Sequence, residues 1–106
     1  MAQVVSRPGT IAATQPPQSE VQVWERLAYL QAEWDAIPQL AAEWPEWDET
    51  SRLHFTIDWP VRESYLQQME SWHTAGYLSA VQQRVYQALV VTVAELRPVL
   101  VHLLDS

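Results

Sequence analysis

The chain contains no cysteine and no lysine, and only two glycines, Gly9 and Gly76. Without cysteine there is no thiol nucleophile, no disulfide framework, no iron–sulfur ligation and no thiolate zinc site, while the redox compartment stays open. Two isolated glycines cannot build a glycine-rich phosphate loop or a dinucleotide fingerprint, because those need several residues free of Cβ within one tight turn. Nucleotide enzymes of those types are excluded. With no lysine, all six basic residues are arginine, a bias that either genome composition or a use for planar ion-pair donors would produce.

A basic stripe is missing as well. The formal charge is −7, and residues 20–50 hold eight acids against Arg26 alone: Glu20, Glu25, Glu33, Asp35, Glu43, Glu46, Asp48 and Glu49. From residue 51 onward, five acids meet four arginines. Nucleic acids are held by basic stripes that displace counterions, so direct nucleic-acid binding is not expected. Residues 1–18 lack the basic end, apolar run and small-residue cleavage site of a secretory leader, and the expected location is cytoplasmic. The longest apolar stretch, residues 85–104, is broken by Gln87, Glu95, Arg97, Pro98 and His102. It reads as a core helix too polar to span a membrane, and no membrane partner is expected.

What is present suffices for one small domain of 106 residues, 48% of them hydrophobic. Residues 1–18 carry Pro8, Gly9, Pro16 and Pro17 without apolar periodicity and read as a disordered arm. The single helical domain then covers residues 19–106. Ser19 followed by Gln22 has the spacing of a capping box, and Val23, Leu27, Leu30, Trp34 and Ile37 form one stripe, predicting a helix over residues 20–36. Pro38 ends it and starts a short turn to Trp44. The two Trp-Pro steps, Trp44-Pro45 and Trp59-Pro60, each read as a helix start with proline at the first helical position.

Residues 45–58 are ambiguous, because Leu53, Phe55, Ile57 and Trp59 alternate with polar residues in the period of a strand. A lone strand would leave its backbone unpaired unless a second chain supplied the pairing, so helix is the preferred reading. From Pro60, the residues Val61, Tyr65, Leu66, Met69 and Trp72 make an amphipathic stripe that Gly76 caps in the left-handed conformation. Ser79 with Gln82 is a second capping-box pattern, opening a helix along Val81, Val85, Leu89, Thr92, Leu96, Val99 and Leu103. Residues 88–94, apolar on nearly every side, predict contact with neighbours on more than one face, and Pro98 predicts a kink or break near residues 95–98. The short joint 76–78 predicts that the last two long helices form an antiparallel hairpin.

Candidate chemistry is sparse. Glu70 and His73 stand at i, i+3 on a predicted helix, the spacing used by carboxylate-bridged di-metal bundles. Such a site needs a second copy and further helical glutamates, which this chain lacks and a homodimer would have to supply; a structural histidine beside a helical acid is the preferred reading. His54 and His102 share no ligand spacing and read as surface residues. No nucleophile-elbow motif accompanies the serines. No catalytic residue, metal site or cofactor is therefore assigned.

Six tryptophans in so short a chain are the most unusual feature. Trp34 and Trp72 sit on apolar stripes and read as core, and Trp24 lies one place off its stripe. Trp44 and Trp47, inside the acidic run AEWPEWDE, have the greatest claim to partial exposure, although packing as staples over helix ends competes with that reading. Exposed tryptophan makes a strong interface anchor. The expected fold is all-α: a small bundle of four or five helices with a C-terminal hairpin, after a flexible arm. The expected function is a non-catalytic protein-interaction module, a small acidic regulatory or assembly subunit. It would bind a basic protein partner through Trp44 and Trp47 as anchors, with Glu43, Glu46, Asp48 and Glu49 as steering charges. The alternatives are a metal-dependent helical enzyme using Glu70 and His73, and an acidic nucleic-acid mimic acting as an inhibitor.

Overall fold

Four helices and one tight turn carry the chain in the computed structural model, which describes residues 15–105. In order they are α1 (Glu20–Asp35), a short α2 (Ile37–Glu43), a 3-10 turn (Trp44–Glu46), α3 (Glu49–Thr74) and α4 (Ala80–Leu104). The described chain is all-α, with no strand among its residues. Residues 1–14 of the expected arm lie outside the described residues. Residues 15–18 lead into α1, and the Gln15 carbonyl accepts a 2.6 Å hydrogen bond from Trp72 Nε1.

Helix starts form where short polar side chains meet the first free backbone N–H groups. Ser19 accepts from the Gln22 N–H at 3.1 Å, but the Gln22 side chain turns to the Gln18 N–H, so the box is not closed on Ser19 itself. At α4 the box is complete: Ser79 accepts from the Gln82 N–H, and Gln82 Oε1 accepts from the Ser79 N–H. Gln82 is also buried, and its amide donates to the Glu20 carbonyl at 3.3 Å, tying the start of α4 to the start of α1. Gly76 ends α3 at φ 85°. The Tyr77 N–H reaches back to the Trp72 carbonyl and the Gly76 N–H to the His73 carbonyl, the paired bonds of a Schellman motif.

The expectations of a helix start at Pro60 and of a helix break at Pro98 are corrected. The helices expected to begin at Pro45 and at Pro60 are a single 26-residue helix with Pro60 in its interior, and α4 runs unbroken through Pro98. The described chain therefore has three long helices, with the seven-residue α2 as a near-continuation of α1 across Ala36. Pro60 leaves the Thr56 carbonyl without its helical donor, and Pro98 does the same to that of Ala94. Both prolines and both of those residues are exposed, where water can satisfy the carbonyls.

Val23, Leu27, Leu30 and Trp34 of α1, with Ile37 of α2, meet Trp59, Met69 and Trp72 of α3 and Leu89, Val93 and Leu100 of α4 in one core. α1 lies against both long helices, and α4 also packs on α2. The apolar run 88–94 is covered on one side only: Leu89 and Val93 are buried, whereas Val90 and Val91 are 39% and 56% exposed. The reading of α4 as too polar is also corrected. An 18-residue stretch within Ala80–Leu104 has a mean hydropathy of 1.5, enough to cross a membrane by length and composition, and 22% of that stretch is buried in the protein.

Four half-buried arginines lie against aromatic rings at the edge of this core. Arg26 lies over Tyr65 at 3.9 Å, Arg97 over Trp34 at 5.1 Å, Arg62 over Trp59 at 5.4 Å and Arg52 over Trp44 at 5.7 Å. Arg62 also pairs with Glu33 at 2.6 Å, and Arg97 holds Glu63 through two bonds of 2.8 and 3.1 Å. A flat guanidinium stacks on a ring while its edge donates in a fork, which an ammonium cannot do.

Candidate functional site

The acidic tryptophan run forms a corner built by α2, the 3-10 turn and the start of α3. Pro45 sets the turn, Trp47 is extended (φ −75°, ψ 142°), and Asp48 caps α3 by accepting from the Ser51 N–H at 2.7 Å. The Ser51 hydrogen bonds hold the Asp48 carboxyl below the usual carboxylate range, helped by the nearby charges of His54 and Arg52. Arg52 fastens the turn to the helix: its Nε donates to the Trp44 carbonyl and its Nη2 to that of Pro45, both at 3.1 Å.

The rings form a continuous ladder from the surface to the core. Trp47 lies 5.6 Å from Trp44, Trp44 lies 5.6 Å from Phe55, Phe55 lies 5.4 Å from Trp59, and Trp59 meets Trp34 edge to face at 5.2 Å. Such contacts contribute about 0.5–1.5 kcal/mol each beyond the area they bury. Trp44 is only 6% exposed. Of the two readings open to it, exposure and packing as a staple, Trp44 takes the second, with its ring against Trp47, Phe55 and Arg52. Trp47 is half-buried, and Glu43, Glu46, Asp48 and Glu49 are all exposed beside it. Trp24 is the most exposed tryptophan at 36%. Its position one place off the α1 stripe was the signal in the sequence.

His54 and His102 are exposed. His73 stacks on Tyr86 of α4 at 4.7 Å, and Glu70 is exposed. Among the described residues no group of three His, Asp or Glu side chains gathers to hold a metal, so Glu70 and His73 gain no third ligand there.

Two functional features escaped the sequence reading. Arg52 carries no local signal for its role, since the carbonyls it binds lie seven and eight residues earlier in a turn whose direction the sequence does not specify. The other is an open slot of about 420 Å³ between α3 and α4, lined in part by Glu63, Leu66, Glu70, Tyr86 and Arg97. Burial pushes the Glu63 carboxyl up, but hydrogen bonds from Arg97 and from Trp59 Nε1, with the Arg97 charge, outweigh it and hold the group below its ordinary range. Comparison with known proteins finds no matching family model, no matching curated protein and no matching solved structure.

Proposed function

We propose that the chain is a non-catalytic interaction module that binds a basic protein partner through the corner formed by the 3-10 turn and the N-terminus of α3. The observation that carries this reading is that Glu43, Glu46, Asp48 and Glu49, within four positions of the half-buried Trp47 in the sequence, are all exposed. Trp44 acts beneath it as a support, and Arg52 holds the turn in place. A half-buried indole has lost part of its rotational freedom before binding, which lowers the entropic cost of using it as an anchor. The bundle that presents the corner is framed, in this reading, by a hairpin of α3 and α4. The short link between them and the cross-helix pairs Glu63–Arg97 and His73–Tyr86 support that arrangement.

Charges at a rim act mainly on association and its salt dependence, while a buried aromatic anchor acts mainly on dissociation. Capture of a basic partner from cell extract at low and high salt, followed by kinetics with that partner, tests the reading. Glu46→Gln with Glu49→Gln should slow association and flatten its salt dependence. Trp47→Ala should speed dissociation and weaken binding by roughly 2 kcal/mol. If Trp47→Ala lowers the melting temperature and leaves every partner's affinity intact, the ring is only a staple and the reading fails.

A further inference from the structure

The long helices α3 and α4 are bridged at two places. The Glu63–Arg97 ion pair joins them with two hydrogen bonds, and ten residues further along α3 the His73–Tyr86 stack joins them again. At the rise of an α-helix, these bridges stand about 15 Å apart. Between them the helices leave the open slot of about 420 Å³, within the size range of small-molecule sites. Leu66, Val90 and Val93 give it apolar walls.

Its polar groups are unequal. Glu63 is neutralised by Arg97, whereas Glu70 has no ion-pair partner among the described residues. Tyr86 is only 7% exposed, its ring is stacked on His73, and its hydroxyl has no hydrogen-bond partner among the described residues. Glu70 lies close enough that its charge, after burial itself, helps to raise the Tyr86 hydroxyl above its ordinary pKa. One uncompensated negative charge and one unused phenol thus share an end of a slot lined by apolar and polar side chains together. With Arg97 spent on Glu63, an anion would meet Glu70 with no free cation to offset it, and a metal ion would find one unpaired carboxylate.

We propose that this slot binds a small organic cation with an apolar body, its ammonium held by Glu70 and Tyr86 and its hydrocarbon laid along Leu66, Val90 and Val93. The site is separate from the acidic corner and does not depend on it.

The test uses n-octylammonium, octanoate and octanol as probes on the full chain, followed by the methyl NMR signals of Leu66, Val90 and Val93. Octylammonium should saturate at one equivalent and shift those signals, with octanol weaker and octanoate weakest. Glu70→Gln should weaken octylammonium about fivefold, as loss of a partly solvated charge contact implies, and leave octanol unchanged. Val90→Trp, at the exposed lip, should fill the slot and weaken octylammonium at least tenfold while the helical circular dichroism stays intact. Glu25→Gln on α1 should change nothing. Equal or non-saturating response to all three probes would overturn the proposal. So would slot signals that ignore octylammonium but move on dilution, since a second copy of the chain would then be the occupant.

Discussion

The two ends of α3 use tryptophan in opposite ways. At its C-terminal end Trp72 is 1% exposed, Met69 beside it is fully buried, and the one polar atom of the indole is satisfied by the Gln15 carbonyl. The nearby Gln82 amide is likewise spent on the Glu20 carbonyl. At the N-terminal end, Phe55, itself packed on Trp59, receives Trp44 and Trp47 through ring contacts, and the Arg52 clamp holds the turn, with carboxylates facing water. The first end is closed by burial with satisfied polar groups, so its worth is stability. The second is closed by stacking at a wet edge, which contributes less to stability and leaves Trp47 and its acids in reach of a partner.

The sharpest way to break this contrast is to truncate one ring at each end. Trp72→Ala should cost about 3–5 kcal/mol in urea unfolding, whereas Trp47→Ala should cost about 1 kcal/mol. Equal losses would mean that both ends are core. Next in size is Pro60→Ala between them. It returns an N–H to the Thr56 carbonyl and should raise stability by about 1–3 kcal/mol. A loss instead would show that the helix depends on the proline's shape.

Caps offer a finer comparison. Asp48→Ala at the open end and Ser79→Ala at the start of α4 should each cost about 1 kcal/mol in the same unfolding measurement, because each removes an acceptor for a first-turn N–H. Only the Asp48 variant should also alter partner kinetics. The smallest effect concerns pH. Glu63 is held below its ordinary value of 4.5, so the stability it contributes is present above that value and lost as pH falls through its folded pKa. Glu63→Gln should therefore flatten the acid limb of stability against pH below about 4.5 without moving the neutral plateau's pH dependence.

Much of the helical framework was legible in the sequence because its signals act over a few residues. Ser19, Ser79 and Gly76 mark boundaries through bonds that span three to five positions, and the stripe Val23, Leu27, Leu30, Trp34 reports one helical face directly. The strand-like alternation over residues 53–59 has a simple resolution. In one helix, Phe55 and Trp59 fall four apart on the inward side, while Leu53 and Ile57, also four apart, are 57% and 60% exposed. Two interleaved helical stripes therefore imitate a period of two. The acidic corner was legible as composition, but Trp44 and Trp47 were not separable, since each stands beside a helix break and their difference comes from Phe55 and Arg52.

The sequence by itself determined the all-α class, the starts of α1 and α4, the glycine stop of α3 and the acidic excess over residues 20–50. These follow from local hydrogen-bond chemistry and from charge, which need no knowledge of neighbours. Tertiary structure alone decided that Pro60 and Pro98 stay inside helices, that Trp44 is buried while Trp24 is not, and that α3 and α4 leave a slot between their two bridges. In each case the deciding free energy is the burial of rings and branched side chains against residues distant in sequence. Those contacts offset a missing backbone bond or select one face of a helix only once the partner helix is in place.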